Sequence, residues 1–135
     1  LWGSSAYADA LHVAGVDVHR VINLDMVGRP PGDGSVVVES DMGNLVAGND
    51  ADSQVFAMEM ARAAADYTDL PIKQGPIYAS DYMPFEAKGL ACIGAFEGGE
   101  NPFYHRTTDV ASSVDVPYLQ DVVRMVLATL LTIAR

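Results

Sequence analysis

A chain of 135 residues is the size of one ordinary domain, long enough to bury roughly two-thirds of the surface its unfolded form exposes. Half of it is hydrophobic and 19% is charged, which suits a core-rich α/β domain or a piece of one. The net charge of −10, from 18 acidic against 8 basic residues with no Lys/Arg cluster, repels phosphate backbones and speaks against nucleic-acid binding.

The chain opens on Leu1-Trp2-Gly3-Ser4-Ser5, with neither an initiator methionine nor a basic-then-apolar signal, as an excised or processed segment would. Ser4 or Ser5 is placed to cap a first helix over Ala6 to Val13, closed by Gly15, with Tyr7, Ala10, Leu11 and Ala14 at helical spacing. Val18 to Val27 then reads as a strand. Its near-continuous Val21, Ile22, Leu24, Met26 and Val27 predict cover on both faces. After the turn-rich Arg29 to Gly34, Ser35 to Glu39 is a short β-branched strand.

A helix follows over Asp52 to Tyr67, N-capped by Asp50 or Asp52, with Phe56, Met60, Ala64 and Tyr67 on one stripe. Leu70 to Tyr78, broken by Pro71, Gly75 and Pro76, is a loop or short strand. Ser80-Asp81 caps a short helix ended by Gly89. Leu90 to Phe96 is a second apolar strand, stopped by Gly98-Gly99, and a loop from Glu100 to Ser113 carries Tyr104-His105. A last helix runs from Asp115 to the end, with Pro117 in its first turn and Leu119, Val122, Val123, Val126, Leu130 and Ile133 in helical order.

Alternating helices and apolar strands predict an α/β fold with a largely parallel sheet, in one piece without repeats or linkers. No stretch approaches the roughly 18 apolar residues that cross a bilayer. The only cysteine, Cys92, lies in an apolar run and reads as a buried, inert thiol; alone it excludes a disulfide framework and a Cys-rich zinc site.

Asp25, in Asn23-Leu24-Asp25-Met26-Val27-Gly28, is a carboxylate at the end of an apolar run, where burial is costly unless a cation or good donors compensate it. Functional groups of parallel sheets collect beyond the carboxyl ends of the strands. Asp25 is thus a metal ligand or, equally, a cap of the following turn. His105 is a metal ligand or a plain surface histidine. Tyr104 either donates to a developing oxyanion or packs. Asp109 either orients the His105 imidazole or caps a turn. Asp81 is a helix N-cap or a group on the substrate side, and Glu97 ends its strand unremarkably. His12 and His19 have no ligand at metal spacing. There is no G-x-S-x-G, G-x-x-x-x-G-K, G-x-G-x-x-G or H-E-x-x-H, so serine, cysteine and phosphate-loop chemistries lack support.

Taken in order, these segments resemble the second half of the zinc aminopeptidases of family M28. Leu1-Trp2-Gly3-Ser4 is similar to the stretch after that family's paired glutamates. Val21 to Gly28 is similar to its metal-aspartate strand, Ser80-Asp81-Tyr82 with Phe85 to its Ser-Asp-His-x-x-Phe segment (tyrosine standing for histidine), and Tyr104-His105 with Asp109 to its metal-histidine loop. The resemblance implies a three-layer, mostly parallel but mixed sheet with flanking helices, zinc-exopeptidase-like and incomplete.

It further implies a two-zinc site, with Asp25 serving one zinc, His105 the other, and Tyr104 stabilising the tetrahedral intermediate. Asp81 and Asp109 would lie behind the ligands or on the substrate side. The family's bridging His-x-Asp and its Glu-Glu are not among these residues; they would precede Leu1, in a missing N-terminal half of the domain. The expectation is part of an aminopeptidase acting on peptides with a free N-terminus, inactive and without tightly held zinc as an isolated chain. The alternatives are a glutaminyl-cyclase-like enzyme on the same fold and a non-catalytic binding or dimerisation module. An exposed strand edge would favour self-association, and the resemblance leans to a secreted or periplasmic location.

Overall fold

The structure, a computed structural model, describes residues 1–134. Four strands, β1 (Val21–Asp25), β2 (Val36–Ser40), β3 (Ile72–Pro76) and β4 (Cys92–Phe96), form one sheet in the order β1-β4-β2-β3. β1 runs parallel to β4 and β3 parallel to β2, while β2 and β4 are antiparallel, so the sheet is mixed as expected. Four helices flank it: α1 (Trp2–Val13), α2 (Asp50–Tyr67), the single turn α3 (Met83–Glu86) and α4 (Val116–Ile133), the last preceded by a 3-10 turn at Ala111–Ser113.

The main core lies on one face. Val36 and Val38 of β2, with Ile93 and Ala95 of β4, meet Phe56, Ala57, Met60 and Ala64 of α2 and Tyr118, Val122 and Met125 of α4. On the opposite face a smaller cluster gathers Ile77, Tyr82 and Cys92 beneath α1 and α3. Period-two alternation sorts each strand between these environments, and the result is three layers.

Several expectations change. β1 is shorter than Val18–Val27 and is not covered on both faces: its residues are half-buried or exposed, because it is an edge strand and α2 lies over β2 and β4 instead. α1 begins at Trp2 without a side-chain cap and buries only Ala8; Tyr7 stays largely exposed, edge-on to Phe85. α2 starts at Asp50 after Asn49, whose amide is committed to Glu86 (2.6 Å) and the Leu90 carbonyl (3.0 Å) rather than to capping.

Neither Ser80 nor Asp81 caps α3, since Tyr82 holds the N-cap position and the two side chains bond elsewhere. α4 is capped by Asp115, which accepts the Tyr118 N–H at 3.0 Å, but its buried face is rotated to Tyr118, Val122, Met125 and Thr129, leaving Val123 and Leu130 exposed. By length and composition α4 would suffice to cross a membrane, contrary to the sequence expectation, yet that face packs into the core.

Candidate functional site

Because β1 and β4 are parallel and in register at Asp25 and Phe96, their carboxyl ends open at one edge of the sheet. Asp25 is the last residue of β1 and is exposed. The chain then turns sharply at Met26, whose φ of 53° is in the left-handed region that costs a non-glycine residue roughly 1–2 kcal/mol. Glu97, the residue after β4, holds that turn. Its Nα donates to the Met26 carbonyl (3.0 Å), and its Oε2 accepts the backbone N–H groups of Gly28 (3.0 Å) and Arg29 (2.7 Å). Burial pushes the Glu97 carboxyl up, opposed by these two N–H groups and the Arg29 charge. A residue unremarkable in sequence thus fixes the backbone next to Asp25.

The loop beyond Glu97 is fastened to the same turn. The Arg29 guanidinium lies over the Phe103 ring at 4.4 Å, pairs with Asp109 at 3.2 Å and donates to the Ser113 hydroxyl. This carries Tyr104 to a hollow of about 420 Å³ lined by Met26, Glu100, Asn101 and Pro102. His105 follows, exposed and stacked on Tyr104 with ring centroids 3.8 Å apart. Its φ of 55° makes it, with Met26, one of two non-glycine residues in the left-handed region among those described. Such conformations persist where surrounding contacts over-determine them. Asp109 is engaged with Arg29, so its observed role is to tie the loop to the turn after β1.

A second set of polar groups stands on the α1/α3 face of β1. The Asn23 amide donates to the buried Ser80 hydroxyl at 2.8 Å, and Ser80 donates to Asp25 Oδ2 at 2.5 Å. Asp81, exposed beside Ser80, accepts the Ser4 hydroxyl at 2.6 Å. The buried Tyr82 phenol donates to Glu39 Oε2 at 3.1 Å and accepts the Tyr78 N–H at 2.9 Å. Burial raises the Tyr82 phenol well above its usual range. Burial also raises the Glu39 carboxyl, with the Asp25 charge adding to the shift and the Tyr82 hydrogen bond opposing it.

Asn23 and Glu39 were not singled out by sequence reasoning. Their partners are far along the chain, and the one local signal was that Asn23 shares a strand face with Asp25. Cys92 is free and buried, and burial pushes its thiol well up, as expected of an inert cysteine.

Over residues 1–130 the sequence matches peptidase family M28. The chain belongs to peptidase family M28. Its fold is that of M28-type structures: it superimposes on the Legionella pneumophila LapA aminopeptidase with a TM-score of 0.79 at 16% identity, covering 98% of this chain and 36% of that one. The zinc aminopeptidase BSAP from Bacillus subtilis gives 0.73 at 23% identity, covering 98% and 32%. The aminopeptidase from Aneurinibacillus sp. strain AM-1 gives 0.69 at 21%, covering 96% and 29%. The chain therefore spans about a third of the length of these structures. No curated protein matches it.

The donor chemistry of this M28 chain suits zinc in kind, since carboxylate oxygen and imidazole nitrogen are both ordinary zinc ligands. It falls short in number. Among the described residues no three His, Cys, Asp or Glu side chains come together as a metal cluster. Asp25 ends β1, and His105 lies in the loop that follows its parallel neighbour β4.

Proposed function

We propose that this chain is the C-terminal part of a two-zinc M28 aminopeptidase, in which Asp25 serves one zinc and His105 the other. The observation that carries the reading is the common edge: β1 ends on Asp25, and the loop after its parallel neighbour β4 brings Tyr104-His105, under family membership across nearly the whole chain. Bound zinc would supply a water of lowered pKa and polarise the scissile carbonyl.

The chain's own residues do the positioning. Glu97 and Arg29 hold the Asp25 turn and the Tyr104-His105 loop as one unit. Tyr104, beside Met26 in its hollow, donates to the oxyanion that develops on the substrate carbonyl. Peptides with a free N-terminus are the substrates, and the acidic charge favours their ammonium group. We place the protein outside the cytoplasm, secreted or periplasmic, a point cell fractionation decides.

The deciding assay uses the full-length gene product on Leu-p-nitroanilide and on a peptide with N-terminal glutamine. Release of p-nitroaniline, lost in Asp25→Asn and His105→Ala, supports the aminopeptidase. Cyclisation of the glutamine peptide alone would replace it with a glutaminyl-cyclase-like enzyme, and neither activity would leave a binding module. The isolated 135-residue chain is expected to hydrolyse neither substrate. Submicromolar binding of two zinc ions to that chain in calorimetry, lost in His105→Ala, would contradict the dependence on further ligands.

A further inference from the structure

Asp41 follows β2 and Glu86 ends α3; both are fully buried, and their carboxyl groups lie within hydrogen-bonding reach of each other. Asp41 Oδ1 accepts the backbone N–H groups of Gly43 (2.8 Å) and Asn44 (2.9 Å), and Glu86 Oε1 accepts the Asn49 amide at 2.6 Å. The other two oxygens, Asp41 Oδ2 and Glu86 Oε2, meet no donor among the described residues. Nor does either carboxyl form an ion pair with Lys, Arg or His among those residues. The neighbours from α2 are Asn49, Ser53 and, beside Gly43, Asp50; from β4 comes the Cys92 thiol, and none of these is positive. Two ionised carboxylates buried so would each bear an uncompensated desolvation cost and would repel one another. One proton answers both faults, because it supplies a donor and removes a charge.

We propose that Asp41 and Glu86 share a single proton, and that this carboxyl–carboxylate pair is a pH-sensitive latch fastening α3 to the loop after β2. Glu86 carries the proton and donates from Oε2 to Asp41 Oδ2, because the two backbone N–H groups on Asp41 favour its ionised form. Burial raises the Glu86 carboxyl against the opposing Asn49 amide, and Asp41 adds to the rise. Burial acts in the same direction on Asp41, but the Asn44, Glu86 and Gly43 donors outweigh it and hold that carboxyl below its usual value. The latch is therefore closed above the lowered Asp41 value and below the raised Glu86 value. At higher pH the Glu86 O–H bond breaks, its proton passes to water, and the two carboxylates separate. α3 continues directly from Ser80 and Tyr82, so its release loosens the segment that bonds to Asp25 and Glu39.

The test follows amide hydrogen exchange in the full-length gene product at Glu86 and Ala87, whose N–H groups donate to the Tyr82 and Met83 carbonyls at 3.0 Å. The side-chain carboxyl 13C shift of Glu86 is recorded over the same range, about pH 4 to about pH 8. Because opening releases one proton, protection corrected for intrinsic exchange is expected to be flat at first. Above the Glu86 value it should fall about ten-fold per pH unit. The 13C shift should report a protonated Glu86 along the flat limb. Glu86→Gln, whose amide donates to Asp41 without titrating, is expected to keep protection constant across the range. Asp41→Asn should abolish the break as well, since its amide donates to an ionised Glu86. Flat protection in the parent, or a break that survives in Glu86→Gln, overturns the latch. The carbon titration needs no variant: a Glu86 that titrates no higher than the ordinary 4.5, with protection dependent on added calcium instead, would put a cation between the carboxyls and overturn the shared proton.

Discussion

Replacing Gly94 with alanine is the most informative single perturbation of this fold. An added Cβ there would meet Glu39 Oε2 at 2.4 Å, the Tyr82 ring at 2.8 Å and the Glu39 Cβ at 3.4 Å. The Glu39 carboxylate is the far end of a flexible chain and can swing aside, but only by releasing the Tyr82 phenol, to which it is bonded at 3.1 Å. The Tyr82 ring is 1% exposed and has nowhere to go. Overpacking costs about 1–3 kcal/mol, and a hydrogen bond to a charged group contributes about 1.5–3 kcal/mol, less for the half-buried Glu39. The expected loss is about 2–4 kcal/mol, a large part of the roughly 5–15 kcal/mol that holds a domain together. Urea unfolding followed by circular dichroism reads it as a midpoint lowered by on the order of 1–2 M. Adding Glu39→Ala to Gly94→Ala removes the nearest clash, so the double variant should be less destabilised than the sum of the singles by about 0.5–3 kcal/mol. A Gly94→Ala protein within about 0.5 kcal/mol of the parent, or strict additivity with Glu39→Ala, would refute the packing described.

Ser53→Ala is expected to cost about 2–5 kcal/mol in the same assay, because the buried hydroxyl donates to the Cys92 carbonyl at 2.6 Å and accepts the Asp41 N–H at 2.8 Å, leaving two buried groups unpaired. Burial and the neighbouring Asp41 raise the Glu86 carboxyl above 4.5, so its stabilising contribution is complete below about pH 4.5 and fades as pH rises through the raised value. Glu86→Gln does not titrate and should gain stability relative to the parent as pH increases; parallel stability–pH curves would show that Glu86 is ionised in the folded chain. β3 is protected as an edge by Lys73 and Pro76, whereas the open side of β1 carries no proline or lysine. Sedimentation of the 135-residue chain should therefore show concentration-dependent association that Leu24→Lys reduces, and a monomer at all concentrations would count against pairing through β1.

Local patterns made much of the fold legible. The apolar run of Leu90 to Phe96 holds one of the two inner strands, and Asp115 with Pro117 marked the start of α4. Asp25 stood out because a carboxylate ending an apolar strand needs a reason. What escaped depended on neighbours distant in sequence. β1 looked as apolar as β4, yet edge or centre is a property of the sheet order. Ser80 and Asp81 have strong capping propensity, overridden by bonds to Asp25 and Ser4. The α4 stripe was legible in part: Val122, Val126 and Ile133 meet the core, while the buried Tyr118 and Thr129, each carrying a hydroxyl, were not in it. The Tyr118 hydroxyl reaches the Ser35 carbonyl at 3.0 Å and the Thr129 hydroxyl its own helix at the Met125 carbonyl, 2.8 Å away, so both are buried at little cost.

One face of the sheet carries the main apolar core and the other a smaller cluster beside the polar groups around Asp25, and Gly94 lies on the second. Val36 and Val38 of β2, with Ile93 and Ala95 of β4, supply the apolar core against α2 and α4. The opposite face carries Asn23 and Asp25 on β1 and Glu39 on β2, and the register sets Gly94 directly between Asn23 and Glu39. A bare backbone at that position lets the Tyr82 ring lie close against β4 and reach Glu39. Ser80, two residues earlier in the chain, is thereby set over Asp25. A methyl group at 94 would lift the ring, and with it the hydroxyl that donates to the Asp25 carboxylate. Gly94→Ala should therefore disturb Asp25 as well as stability, whereas Met125→Ala, a cavity on the other face, should cost about 2–5 kcal/mol and leave the Ser80–Asp25 bond intact.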